Sequence, residues 1–199
     1  MKENSFDSEE YHFDSELGSE TDSESQNEDQ SITNIELIKS IAKTLTMIVD
    51  ENEKLANLKE INKKQSKLIF SAKSIPKISL YDYLIRIQTY SHLERSILIS
   101  TLVYIDRLCQ LGKLTLTYYN IHRILFAGIL IAIKYNEDLF YDNKYYAEIG
   151  GVKLNELKIM EYTFVELCDF KFFISNDVYE NYNNYLNSLE KYHLMSERN

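Results

Sequence analysis

Apolar residues recur at steps of three and four through most of the chain after position 31, and this spacing predicts amphipathic α-helices. The first predicted helix begins near Ile32 and carries a stripe made of Ile35, Ile38, Ile41, Ala42, Leu45, Ile48, Val49, Leu55 and Leu58. Asn52 interrupts this stripe, and the regular repeat covers only about three heptads. We therefore favour packing of this helix against its own domain, and a short coiled coil is the alternative.

Six more helices are predicted in the rest of the chain. Residues 61–74 are basic and polar and are interpreted as a connector, and Pro76 stops any helix because the residue before a proline is pushed out of the α region. Ser79 can cap the first of the six helices, and Gly112 can end the second. The six cover residues 79–88, 93–111, 118–136, 143–149, 153–168 and 175–191, with Thr117 as the predicted cap of the third.

The third of these helices is apolar on nearly every side between positions 124 and 133, so we expect other helices to surround it. Gly128 lies in its middle and costs about 1 kcal/mol relative to Ala, which a close helix crossing would explain. Gly150 and Gly151 are expected to supply positive φ after the fourth helix. Five Gly and one Pro in 199 residues are too few turn formers for a β-sandwich or barrel. The predicted fold class is all-α.

The N-terminal segment differs in composition from the remainder. Residues 1–30 contain eleven acidic residues and one basic residue, a net charge of −10, whereas the remaining chain carries about +1. Such a segment buries too little apolar surface to offset chain entropy, so residues 1–30 are predicted to be a disordered acidic tail. Ser19, Thr21 and Ser25 each precede an acid by three positions and are candidate phosphorylation sites, and a tail that only aids solubility is the alternative.

The sequence contains no pattern that indicates catalysis, a metal or a cofactor. Gly-rich phosphate loops, the nucleophile motif of hydrolases and the paired-His motif of zinc proteases are missing, and the four His are far apart. Cys109 and Cys168 are expected to be reduced, buried thiols. Lys and Arg lack the clustered excess that nucleic-acid binding requires, and the longest apolar run is about half a membrane span. We expect a soluble intracellular protein that acts by binding other proteins, in the cytoplasm, the nucleus or both. We expect it to bind neither nucleic acid nor membrane and to have no small-molecule substrate.

Six motifs follow one another between positions 75 and 164. They are I-P-K-I-S-L-Y-D-Y-L-I-R-I (75–87), L-V-Y-I-D-R-L (102–108), N-I-H-R-I-L (120–125), I-A-I-K-Y-N-E-D (131–138), N-K-Y-Y-A-E-I-G-G-V (143–152) and N-E-L-K-I-M-E-Y-T-F (155–164). In this order and spacing the chain resembles the P/U-type cyclins, the group that includes the yeast phosphate-pathway cyclins and the plant U-type cyclins. The resemblance extends over about residues 32–189.

The resemblance implies one five-helix cyclin box at residues 75–174. A helix and connector at residues 31–74 precede the box, and a C-terminal helix and tail at residues 175–199 follow it. A protein of this kind is a regulatory subunit and not an enzyme, because it binds a cyclin-dependent protein kinase and holds the kinase αC helix and activation loop in the productive arrangement. A cyclin-fold adaptor that bridges proteins without activating a kinase is the alternative. The M-R-A-I-L docking motif of mitotic cyclins has no counterpart before Tyr83.

The resemblance also implies roles for two pairs of charged residues. Lys134 and Glu161 match the Lys and Glu with which cyclins hydrogen-bond the kinase near αC, and an ion pair within this chain is their alternative. Lys134 ends an apolar helix, where a cation suits the negative end of the helix dipole. Asp106 and Arg107 match a cyclin Asp-Arg pair that maintains the fold, so an internal ion pair is expected there.

Four apolar residues complete the implied kinase surface. By family position, the apolar part of that surface consists of Ile131, Tyr135, Val165 and Phe172. Burial in the internal core is the alternative for each of them, because apolar residues at helical spacing also form core faces.

Overall fold

The architecture is entirely helical in the computed structural model, which describes residues 21–54 and 69–196. The helices are α1 (Thr21–Lys54), α2 (Leu80–Ser91), α3 (Arg95–Gln110), α4 (Ile121–Asn136), α5 (Asn143–Gly150), α6 (Leu154–Leu167) and α7 (Asn176–Ser196). No strand occurs within the described ranges. The predicted all-α class is therefore confirmed, and all seven predicted helices are present. Helix α1 begins eleven residues before the predicted start at Ile32, and α7 ends at Ser196, five residues after the predicted end.

Helix α4 occupies the centre of the molecule. Every residue from Ile124 to Ile133 is buried, and α4 packs against α3, α5 and α6. A Cβ added at Gly128 would lie 3.1 Å from Thr101 Cγ2 on α3 and 3.4 Å from the Phe164 ring on α6. The expected close crossing at Gly128 is confirmed, since a side chain there would press on both neighbouring helices.

The two glycines after α5 have different roles. Gly151 caps α5 with φ +66°, as expected, because this left-handed conformation is open to a residue without a Cβ. Gly150 has no positive φ and is the last residue of α5, so the prediction of positive φ at Gly150 is wrong. Its Cβ would lie 2.2 Å from Phe126 Cε1 on α4, so Gly150 allows the end of α5 to approach the core.

Helix α1 packs against its own domain, along α2 and α7. The central positions of its apolar stripe are buried, namely Leu37, Ile38, Ile41, Ala42, Leu45 and Val49. The amide of Asn34 donates to Leu93 O and the amide of Asn52 donates to Leu116 O, each at 2.9 Å. Asn52, which interrupts the stripe, therefore fixes α1 to the segment between α3 and α4. This contact supports intramolecular packing over the coiled coil.

Helix α1 begins within the predicted acidic tail. Its first residue is Thr21, so residues 21–30 are helical, whereas the sequence predicted disorder there. The N-terminal end of a helix dipole favours acidic residues in general, so an acidic sequence is compatible with a helix start. Residues 1–20, including Ser19, lie outside the described residues, and so do residues 55–68 of the predicted helix end and connector. Thr21 and Ser25 stay predicted phosphorylation sites.

Local hydrogen bonding decides where the helices begin. Ser79 is the N-cap of α2, and its hydroxyl accepts from Asp82 N at 3.0 Å, as predicted. The predicted Thr117 cap is wrong, because α4 begins at Ile121. Asn120 Oδ1 accepts from Thr117 N at 2.8 Å, and Asn120 Nδ2 donates to Thr115 O at 2.9 Å. The Asn side chain thus stabilises a turn in place of the first helical turn.

Candidate functional site

Three polar side chains form a closed network where α4, α5 and α6 meet. Lys134 Nζ on α4 donates to Glu161 Oε1 on α6 at 2.5 Å and to Asn143 Oδ1 on α5 at 2.6 Å. Asn143 Nδ2 donates to Glu161 Oε2 at 2.8 Å. We call Lys134, Asn143 and Glu161 the polar triad. Every bond in it is charge-assisted or joins an amide to a charged group, which makes the arrangement stronger than a simple surface ion pair.

The helices place the polar triad at the edge of the core. Lys134 lies in the last turn of α4, where its ammonium faces the negative end of the helix dipole. Asn143 is the first residue of α5, and Glu161 lies beside the buried Met160 on α6. The side chains of Lys134 and Glu161 are 22% and 21% exposed, so a partner can reach them without unfolding the site.

The intramolecular ion pair held as the alternative for Lys134 and Glu161 is therefore present. The kinase-contact role of the same two side chains stays a prediction. Asn143 was not among the predicted site residues, because an Asn at the start of a helix is ordinarily read as part of a turn. Asn143 lies nine positions after Lys134 and eighteen before Glu161. These separations predict no contact, and only the packing of α5 beside α4 and α6 brings the three side chains together.

The four predicted apolar site residues divide between core and surface. Ile131 and Phe172 are 6% and 8% exposed, so both are core residues in this chain, which was the alternative for them. The Phe172 ring lies edge-on to Tyr104 at 5.2 Å and tilted to Tyr135 at 5.8 Å between centroids. Tyr135 is 52% exposed, and Val165 is half-buried against the core. Of these four residues, Tyr135 alone presents a large exposed surface beside Lys134.

Further exposed apolar residues adjoin the polar triad, and the sequence analysis missed them. Leu139 is 89% exposed, and Phe140 and Tyr141 are about half-exposed in the segment between α4 and α5. Lys134 Nζ lies 6.0 Å from the centroid of the Phe140 ring, which is within the range of a cation–π contact. Three large apolar residues in a row between helices were visible in the sequence. Exposed apolar groups of this kind mark interaction surfaces.

The expected ion pair between Asp106 and Arg107 is replaced by other contacts. The Asp106 carboxylate accepts hydrogen bonds from the Tyr182 hydroxyl on α7 and from Gln110 Nε2. The Arg107 guanidinium donates to Phe173 O at 3.1 Å, and to Lys171 O at 3.3 Å. Consecutive residues on a helix point in different directions, so the two side chains reach separate partners. Both still maintain the fold, because they fasten α3 to the C-terminal part of the chain.

Burial suppresses the ionisation of one tyrosine and of both cysteines. Burial raises the pKa of the Tyr104 hydroxyl to about 12, so this group under Phe172 stays neutral. Burial also raises the pKa of the Cys109 and Cys168 thiols to about 11 each. Both cysteines are free and half-buried, and thiols with raised pKa are poor nucleophiles.

His122 has a structural position on α4. It is buried, its Nε2 lies 3.1 Å from Ile78 O, and its ring lies edge-on to Tyr83 at 5.2 Å between centroids. Burial lowers the pKa of the imidazole, which is therefore neutral at pH 7. These contacts fix α4 to α2 and to the residues that precede it, which gives His122 a structural role.

Residues 21–54 and 69–196 contain neither a metal-binding cluster nor a membrane-spanning helix. No three His, Cys, Asp or Glu side chains in these ranges come close enough together to hold a metal ion. No helix in the same ranges combines the length and the apolar character that a membrane crossing requires.

Comparison with known proteins identifies the family of this fold. The family model described as Cyclin matches residues 19–172. The chain is 36% identical over 148 residues to PHO85 cyclin-like protein psl1 of Schizosaccharomyces pombe, covering 71% of this chain and 61% of that protein. It is 33% identical over 170 residues to PHO85 cyclin-7 of Saccharomyces cerevisiae, covering 76% and 60%. It is 39% identical over 117 residues to Cyclin-U2-2 of Arabidopsis thaliana, covering 57% and 50%.

The aligned regions span half to about three fifths of the length of these relatives. The family match itself includes all of α1 to α6 and the segment up to Phe172. The polar triad, at positions 134, 143 and 161, lies inside the matched region. This chain therefore belongs to the cyclin family, and its similarity to PHO85 cyclins and U-type cyclins assigns it to the P/U-type group.

Proposed function

We propose that the chain is a regulatory subunit of a cyclin-dependent protein kinase and that the polar triad is its central contact with the kinase. The chain itself catalyses nothing in this proposal, as in other cyclins, which act through a partner enzyme. The observation that carries the proposal is the network of Lys134, Asn143 and Glu161, which holds two opposite charges in fixed positions at an accessible edge.

The polar triad has unused hydrogen-bonding capacity for a partner. An ammonium has three donors, and Lys134 uses two of them on Glu161 and Asn143, so one is left for a carbonyl of the kinase. Each carboxylate oxygen of Glu161 accepts one bond from the triad and has a second lone pair for a backbone N–H. Because these groups are already oriented, binding costs little additional side-chain entropy.

The apolar residues beside the triad supply the non-polar part of the proposed contact. Tyr135 and Phe140 adjoin Lys134, and Leu139 extends further into solvent. Aromatic side chains with half-exposed rings are enriched where proteins associate, because they bury a large area at a low entropic cost. Phe172 supports this surface from below by packing against Tyr135.

The proposed mechanism is a shift in the conformational population of the kinase. A cyclin that binds only the state with αC held inward stabilises that state by its binding free energy. Moving the kinase from about 1:99 to about 99:1 in favour of that state requires about 5.5 kcal/mol of differential binding. A few well-ordered hydrogen bonds and an apolar contact of moderate size are sufficient for this.

Reconstitution with purified proteins tests the proposal. The chain is mixed with cyclin-dependent kinases from its own organism, and binding and phosphorylation of a peptide substrate are measured separately. Glu161→Ala is expected to weaken both, whereas Glu156→Ala is the matched control, since Glu156 lies on the same helix and pairs with Arg123 of α4. Binding without activation would favour the adaptor, and failure to bind any of these kinases would contradict the proposal.

A further inference from the structure

A largely apolar cavity lies between α1, α3 and α7. Its volume is about 430 Å³, which falls in the range of about 300–1,000 Å³ typical of small-molecule sites. Helices α1 and α3 contribute aliphatic side chains such as Ile48 and Leu102, and α7 contributes Tyr185 and Leu186. The cavity shares no lining residue with the polar triad.

The cavity has one charged group in its wall. Asp106 is that group, and no Lys, Arg or His is among the described residues that line the cavity. The neighbouring Arg107 is directed elsewhere, to the carbonyl of Phe173. A carboxylate in an apolar wall favours a cationic ligand and disfavours an anionic one, since attraction and repulsion are both stronger where water is excluded.

The Asp106 carboxylate is held in a defined orientation. Its hydrogen bonds from Tyr182 and Gln110, the two found among the described residues, both go to Oδ2, and Oδ1 takes part in neither. Tyr182 also lines the cavity, and burial together with its bond to Asp106 raises the pKa of its hydroxyl, which therefore stays a donor. A fixed acceptor beside an apolar volume is the arrangement by which proteins orient a small amphiphilic ligand.

We propose that this cavity binds a small hydrophobic amine. Its apolar body would lie between α1, α3 and α7, and its ammonium would bond to Asp106 Oδ1. A cavity of about 430 Å³ has the size of small-molecule sites. The ligand would join the two helices that flank the cyclin box to a helix of the box itself, so its binding would stabilise their packing.

A matched pair of probes tests the charge preference. Binding of 4-phenylbutylamine and 4-phenylbutanoate, which share the same apolar body, is measured on the full chain by titration calorimetry. The amine is expected to bind saturably and at least about tenfold more tightly than the acid, since the acid places like charges together. Equal affinity, or the absence of saturable binding of the amine, would overturn the proposal.

The two cysteines report where the amine binds. Cys109 lines the cavity and Cys168 does not. Burial raises the pKa of both thiols to about 11. The amine is expected to slow alkylation of Cys109 at least about threefold and to leave Cys168 unchanged, because it occludes only the cavity. Binding without this difference would place the amine elsewhere. Protection of Cys109 by a kinase partner and not by the amine would overturn the proposal.

Two variants separate the charge from the volume. Asp106→Asn keeps the size and an acceptor for Tyr182, and it is expected to abolish the preference for the amine over the acid. Thr44→Phe adds a ring to a half-buried wall position and is expected to abolish binding of both probes. Circular dichroism checks that each variant is folded. An unchanged amine affinity in the folded Asp106→Asn protein would refute the role of the carboxylate.

Discussion

Substitution of Glu161 separates a structural role of the polar triad from a role in binding. Glu161→Ala removes the partner of Lys134 at 2.5 Å and the acceptor of Asn143 Nδ2 at 2.8 Å. Exposed ion pairs contribute about 0.2–1 kcal/mol, and breaking a buried pair costs about 3–5 kcal/mol. With both side chains about one-fifth exposed, the loss of unfolding free energy is expected to be about 1–2 kcal/mol.

The expected effect on kinase binding is larger. Truncating one partner of a hydrogen-bonded charge pair at an interface costs about 2–5 kcal/mol, which weakens binding by about 30-fold or more. Unfolding in urea gives the first quantity, and surface plasmon resonance with an immobilised kinase gives the second. Both are measured at a temperature where every variant is folded.

Glu156→Ala and a double-mutant cycle supply the controls. Glu156 and Arg123 form an ion pair between the same two helices at comparable exposure, so Glu156→Ala is expected to cost a similar unfolding free energy. Its effect on kinase affinity is expected to stay below about threefold. Lys134→Ala, alone and combined with Glu161→Ala, measures the coupling between the two charges in each assay. If Glu161→Ala weakened kinase binding no more than Glu156→Ala, the proposed contact would be refuted.

Three further outcomes follow from the packing. Gly150→Ala places a Cβ 2.2 Å from the Phe126 ring and is expected to cost about 1–3 kcal/mol in urea unfolding; an unchanged midpoint would contradict the close approach of α5 to α4. Phe172→Ala is expected to lower the free energy of unfolding by about 3 kcal/mol, because the ring is buried. Loss of kinase binding at unchanged stability would contradict the core position and indicate that Phe172 contacts the kinase. The pKa of His122 is lowered in the folded chain, so the unfolded chain binds a proton more readily. The contribution of His122 to the free energy of unfolding is therefore complete above pH 6.5 and decreases as the pH falls below 6.5. His122→Phe is expected to reduce this slope between pH 5 and 7 in urea titrations, and an identical slope would assign it to other groups.

The helices could be predicted from the sequence because their signals are local. The three- and four-residue spacing of apolar positions reports the buried face of a helix directly. The Ser79 cap acts on the backbone N–H of Asp82, only three residues away. The prediction that Thr117 caps α4 was wrong because the Asn120 side chain hydrogen-bonds the backbone of Thr117 and Thr115. These bonds stabilise a turn where the helix was expected to begin. Where two local options compete, the pattern alone does not rank them.

The resemblance to P/U-type cyclins identified Lys134 and Glu161, but the sequence by itself did not reveal how they pair. Helix content, the central apolar helix and the tight position of Gly128 were determined by the sequence, because burial and helix geometry impose them on neighbouring residues. Tertiary structure alone decided three other features. They are the pairing of Lys134 with Asn143 and Glu161, the separate partners of Asp106 and Arg107, and the cavity beside Asp106. Each joins residues from different helices, and their separation along the chain says nothing about which side chains meet when the helices pack.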